Sequence, residues 1–289
     1  MKKYIYLKID KKAIFLKHIK KLNIKNYYIF NEKNIIFRIC RKFNMINNSI
    51  LFGNWKFEIK KYDYIILGEN GYSPKISEYI KKKNHRCKII MYYWNILNDT
   101  YEKILEDKNI DEFWTFDKND SQKYNLKYNP QFYSKDIFLN ENEIDKDVIF
   151  LGREKGRKGE LIKLQNILNE LDIKTDFIVV KNEKDLIEYD KYLEEVSKSK
   201  CILDYNQEGQ IGLTLRPMEA LFLEKKLITN NKDIKNYDFY NPSNIFILGE
   251  NNIEDIKEFI NKPYEKVEQK IIDYYDFEQW LSRFEVQDK

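Results

Sequence analysis

The feature that most constrains this chain is an alternation that runs twice along it. Short β-branched or aromatic runs are each followed by a charged stretch with helical spacing. Such a series folds as parallel sheets covered by helices, because a parallel strand pair needs a crossover long enough to hold a helix. In the first half the strand runs are YIYLKI (4–9), NIIFRI (34–39), YDYIILG (62–68), CKIIMYYW (87–94) and DEFWTF (111–116). Helices are expected at 11–22, 74–83 and 100–108, and Pro74 suits a first helical turn, where its missing amide has no bond to lose. A polar connection over 128–147 leads to a second series with strands at 147–152, 174–180, 201–205, 226–229 and 244–248. Its helices are expected at 159–172, 186–200, 218–225 and 253–260, the first with Leu161, Leu164, Leu168 and Leu171 along one face. The tail, 263–284, has the pattern of one or two amphipathic helices.

The fold class implied is α/β, with two Rossmann-like domains, 1–140 and 141–262, and a helical segment, 263–289, packing back toward the first. Ligands of such sheets bind beyond the carboxyl ends of the strands. A length of 289 residues accommodates both domains. The charge, 51 basic against 47 acidic residues, is too balanced for a nucleic-acid-binding surface. Basic stretches at 11–21 and 81–88 do suit peripheral contact with an anionic membrane surface. Three scattered cysteines and two histidines make neither a disulfide scaffold nor a zinc site. No 18-residue apolar span or secretory h-region is present, so a reduced, cytoplasmic protein is expected, with membrane contact limited to the inner, cytoplasmic face. His18 and His85 sit in basic surroundings with no serine or cysteine placed for a triad.

Two loops carry the chemistry. In FLGREKGRKGELIKL (150–164) a strand ends at Gly152, and a glycine-rich basic turn leads into a helix. Glycines permit close backbone approach, helix amides favour an anion, and Arg153, Lys155, Arg157 and Lys158 add charge-assisted donors. The stretch matches neither the phosphate loop of nucleotide hydrolases nor the dinucleotide fingerprint. In CILDYNQEGQIGLTLRPMEALFLEKKLIT (201–229) a strand runs to Asp204, and a helix opens near Arg216 and Pro217. Thr214 and Arg216 stand at the mouth of that helix, where an arginine opposes the dipole unless an anion is present. Glu219, one turn in, is a candidate acceptor for ligand hydroxyls such as a ribose; the alternative is an i,i+3 pair with Arg216. Asp204 reads as an orienting carboxylate, and no D-x-D pair exists, so no metal is expected. In the first half, Glu69 and Asn70 follow one strand, and Trp94 and Asn95 follow the next, with Asn54 and Trp55 a weaker version.

These segments, YDYIILGENG with IIMYYWN and VIFLGREKGRKGEL with CILDYNQEGQIGLTLRPMEALFLEKKLIT, resemble bacterial glycosyltransferases of the GT-B class, of the capsular or lipopolysaccharide type. The resemblance spans residues 60–250 and implies two domains facing across a cleft. It implies transfer of a sugar from a nucleotide-diphosphate-sugar donor to a saccharide or lipid-linked acceptor in surface polysaccharide synthesis, without a metal or other cofactor. Donor binding would fall to Gly152, Arg153, Arg157, Lys158, Thr214, Arg216 and Glu219. Acceptor binding would fall to Asn70, Trp94 and Asn95, with Glu69 as the catalytic base of an inverting enzyme. The paired glutamates of many retaining members are not matched, since Glu208 lies eleven residues before Glu219. Another nucleotide-sugar enzyme, such as an epimerase, or a non-catalytic partner in a polysaccharide assembly complex would share the donor loops.

Overall fold

The computed structural model describes residues 2–8, 24–31, 49–69, 72–182, 185, 187–206 and 212–285. The chain forms two compact units, 1–129 and 130–289. Residues 130–140, counted with the first domain from sequence, therefore belong with the second unit.

The described strands of the first unit are β1 (Tyr4–Lys8), β2 (Ile24–Tyr28), β3 (Tyr64–Gly68), β4 (Lys88–Tyr93), β5 (Glu112–Thr115) and β6 (Lys127–Tyr128). They form a parallel sheet in the order β2-β1-β3-β4-β5-β6. β3 and β4 are buried along nearly their whole length. That is why their sequences are apolar at successive positions instead of alternating. Helices α1 (Trp55–Glu58), α2 (Pro74–Lys83), α3 (Asp99–Glu102) and α4 (Lys118–Tyr124) accompany the sheet. Pro74 is the first residue of α2, and Ile76 and Ile80 bury its inner face. Asn125 ends α4 in the left-handed conformation, which asparagine tolerates better than most residues. Trp55 is a core residue. Its indole nitrogen donates to the Ile29 carbonyl at 2.9 Å and its ring stacks on Phe52, while Asn54 is exposed. The expected helix 11–22 and strand 34–39 lie outside the described residues. Strands β2, with a central asparagine, and β6 were not anticipated.

In the second unit β7 (Lys146–Arg153), β8 (Thr175–Val180), β9 (Ser199–Asp204), β10 (Lys226–Thr229) and β11 (Ile245–Ile247) make a parallel sheet ordered β11-β10-β9-β7-β8. Its helices are α5 (Lys158–Glu170), α6 (Tyr189–Ser197), α7 (Leu215–Phe222), α8 (Ile256–Asn261), α9 (Gln269–Tyr275) and α10 (Phe277–Ser282). Leu161, Leu164 and Leu168 of α5 bury against Val148 and Phe150, so the face read from spacing is the core face. The tail packs on residues 132 and 133 of the same unit. Trp280 packs 4.4 Å from Phe132, and the Phe277 amide donates to the Tyr133 carbonyl at 2.9 Å.

Each sheet begins with a strand that ends up flanked on both sides by later ones. Chain direction across the sheet thus reverses between β1 and β3 and again between β7 and β9. At such a reversal the adjoining crossovers depart to opposite faces and leave a crevice at the carboxyl ends. Among the described residues no helix is long and apolar enough to cross a membrane.

Candidate functional site

Strands β7 and β9 pair from Lys146–Ser199 to Ile149–Ile202, and β7 runs on to Arg153 beside β8. The sheet opens there. Phe150 and Gly152, two apart on β7, share a face. Over the Phe150 ring lie two guanidiniums, Arg157 at 5.1 Å and Arg216 at 5.0 Å from its centre. Gly152 makes their approach possible. A Cβ at that position would stand 2.7 Å from Arg216 Nη2 and 3.2 Å from Arg157 Nη2.

The two arginines arrive by different local devices. After β7 the chain turns through Lys155 and Gly156, with φ of 44° and 76°, and a glycine carries the second of these without a Cβ penalty. The turn is pinned by the Glu154 amide on the Val180 carbonyl and the Arg157 amide on the Glu154 carbonyl. Helix α5 then starts at once, its first-turn amides having no partner within the helix. Arg216 is the second residue of α7. Thr214 caps that helix, its hydroxyl accepting the Arg216 amide at 3.3 Å and donating to Asp204 Oδ1 at 2.8 Å. Asp204, fully buried at the end of β9, stands 3.5 Å from Arg216 Nη1 and accepts from Thr229 at 3.4 Å. Arg216 Nη2 also donates to the Leu151 carbonyl, and Arg157 donates to the carbonyls of Tyr205 and Arg153.

Among the described residues, basic side chains are concentrated at this edge. Arg157 is only 8% exposed. Burial, then the neighbouring Arg216, holds its pKa down to about 10, against the pull of Asp204. Lys155 is likewise depressed, first by burial and then by Arg153, Arg157 and Arg216. Four cations therefore feel one another across this edge, with Asp204 the buried carboxylate among them. The opposite edge of the sheet behaves differently. A cleft of about 300 Å³ lined by Lys146, Asp147, Asp172, Lys200 and Lys257 has lysines already matched, Lys200 with Asp147 at 2.8 Å and Lys257 with Asp172 at 3.4 Å. An anion is favoured at the first edge far more than at the second.

Of the residues expected to hold a donor, the structure gathers Gly152, Arg157, Thr214 and Arg216 around this crevice. Arg153 and Lys158 are exposed at its rim, on the end of β7 and the first position of α5. Glu219 is elsewhere in character. It is 2% exposed, and its two oxygens accept from Tyr189 and Tyr192, each at 2.8 Å; the Tyr189 hydroxyl also meets that of Tyr133 at 2.5 Å. Burial raises its pKa, opposed by the tyrosine hydroxyls and Arg216. The acidic partner of Arg216 is Asp204, 12 residues upstream, so the i,i+3 pairing with Glu219 is superseded by a contact between a strand end and a helix start. Phe150, which no motif singled out, is the platform for both arginines. The signal for it was an aromatic residue two positions before a glycine at a strand end.

In the first unit three expected residues are joined directly. Glu69, 2% exposed just past β3, accepts the Trp94 backbone amide at 3.0 Å and the Asn95 side-chain amide. Burial raises its pKa against those two hydrogen bonds. Trp94 packs edge-on to Tyr92 and Tyr6, with centroids at 4.8 and 6.5 Å, while Asn95 is exposed. Asn70 and His18 lie outside the described residues, and His85 is exposed.

No family model matches the chain, and no curated protein matches it. Among solved structures it is similar to the NAD+-bound 3-phosphoglycerate dehydrogenase of Entamoeba histolytica, at 12% identity over 99% of this chain and 96% of that one. The TM-score of 0.23 is too low to carry an argument about fold or function.

Proposed function

We propose that the second unit binds the diphosphate of a nucleotide-activated sugar and that the protein is a glycosyltransferase of surface polysaccharide synthesis. The observation that carries this is the pair of guanidiniums stacked on Phe150 over Gly152, mutually repelling and set beside the amino end of α5. A diphosphate relieves that repulsion and takes charge-assisted hydrogen bonds from both arginines. When the glycosidic bond to the donor breaks, negative charge grows on the leaving diphosphate. Arg157, Arg216, Lys155 and the first amides of α5 are preorganised donors for it, so the barrier falls without reorganisation at the moment of reaction.

The acceptor is assigned to the first unit, at the Glu69, Trp94 and Asn95 cluster. In an inverting transfer Glu69 takes the proton of the incoming hydroxyl, and burial, by raising its pKa, makes it a stronger base than a solvated carboxylate. In a retaining transfer it orients Asn95. Analysis of the product anomer separates the two.

Calorimetric titration with UDP, GDP, CDP, TDP and inorganic pyrophosphate tests the donor side. At least one nucleotide should bind. Arg216→Ala should weaken it by about 1.5–3 kcal/mol, the range for a hydrogen bond to a charged group. Failure of every nucleotide and of pyrophosphate to bind refutes the proposal.

A further inference from the structure

One residue past the Tyr205 carbonyl that Arg157 holds is a buried side-chain amide with no partner among the described residues. Asn206 follows β9 by two residues and is 4% exposed. Neither its side-chain nitrogen nor its side-chain oxygen has a partner among the described residues.

Its backbone is firmly held. The Asn206 amide donates to Asn230 Oδ1 at 2.7 Å, and the Asn206 carbonyl accepts from Asn230 Nδ2 at 3.1 Å. The peptide that joins Tyr205 to Asn206 accepts, at its carbonyl, a hydrogen bond from Arg157 Nη1. Arg157 Nε is itself buried without a partner. One peptide group thus ties together an unspent guanidinium donor and an unspent donor–acceptor pair.

A buried amide left unbonded costs its full desolvation, and such groups in folded proteins are few and call for a reason. A satisfying ligand must present both donors and acceptors close to the anion held by Arg157. Phosphate oxygens only accept. Sugar hydroxyls donate and accept, and in a sugar ester they lie within a few bonds of the phosphorus.

We infer that Asn206 is a specificity residue of the same site, reading hydroxyls of the sugar esterified to the bound phosphate. The inference rests on the diphosphate-binding reading above. The shared chemistry is a sugar hydroxyl next to phosphate, and either the ribose of the nucleotide or the transferred hexose supplies it.

The test compares wild type with Asn206→Ala by calorimetry, using inorganic pyrophosphate, UDP, GDP, CDP and TDP, and the glucose conjugate of whichever nucleotide binds. Pyrophosphate affinity should be unchanged. If ribose is read, the variant loses about 5- to 100-fold toward nucleotide and conjugate alike, the worth of two neutral hydrogen bonds. If the hexose is read, the loss is confined to the conjugate. Unliganded, the variant should melt at or above the wild-type temperature, because an orphaned polar group has been removed.

Equal affinities of variant and wild type for every ligand would overturn the inference and leave diphosphate binding intact. A matching loss for pyrophosphate, or a melting temperature lowered by several degrees, would overturn it too, by making Asn206 a phosphate or structural residue. Wild type that binds none of the probes removes both this inference and the reading beneath it.

Discussion

Gly152→Ala isolates the arginine pair from the stability of the sheet. A methyl at this position would stand 2.7 Å from Arg216 Nη2, 3.1 Å from the Phe150 ring and 3.2 Å from Arg157 Nη2. Moving the closest group from 2.7 Å to 3.4 Å, where ordinary contact begins, takes a shift of about 0.7 Å. The Phe150 ring is locked in the core, so the guanidiniums are what move. Arg216 then loses its bond to the Leu151 carbonyl and its seat on the ring. An anion that depended on it should lose about 1.5–3 kcal/mol of binding, the range for a charge-assisted hydrogen bond. That corresponds to about 10- to 150-fold in affinity. Folding should lose less than binding does, because Gly152 is not among the positive-φ residues and the about 0.4–1 kcal/mol that alanine gains through the unfolded chain offsets part of the crowding at Phe150. Titration with inorganic pyrophosphate gives the first quantity, and urea denaturation gives the second. Affinity within twofold of wild type would refute the role of Gly152, and so would a loss of stability larger than the loss of binding.

Glu219→Gln addresses the tyrosine network. Burial raises the Glu219 pKa above 4.5, so its contribution to stability is full below that value and is lost as pH rises through the raised pKa. The difference in unfolding free energy, wild type minus variant, should therefore decline as pH rises above 4.5 in denaturant titrations; a flat difference contradicts the linkage. Lys155, depressed by burial and three arginines, should have its pKa raised by a bound anion, so binding at alkaline pH should take up protons, because a nearby opposite charge favours the charged form. Calorimetry in two buffers of different ionisation enthalpy reads this directly, and zero uptake rejects it.

Most of the secondary structure was legible because both sheets are parallel and covered. Buried runs such as YIILG and KIIMYY differ sharply from the charged helices between them. The strands that escaped are IKNYY, with a polar centre, and the two-residue KY of β6; a polar centre or so short a run leaves no hydrophobic pattern to read. The polar segment 128–147 was legible as a connection. Its membership was not, because Phe132 and Tyr133 join the second unit through contacts with residues 275–280, more than 140 positions away.

The site was legible in its charges and opaque in its pairings, for one physical reason. Local rules describe residues three or four apart on a helix, and they pointed Arg216 at Glu219. The fold offered each a better partner on a different element. Arg216 sits where the dipole of α7 opposes it, and Asp204 at the end of β9 is 3.5 Å from its guanidinium. Glu219, turned inward, meets two tyrosines from α6. The same helix therefore presents its cation to the crevice and hides its carboxylate behind it. Among the described residues, the carboxylate set against Arg216 is therefore Asp204 from the neighbouring strand end, while Glu219 is committed to the tyrosine hydroxyls.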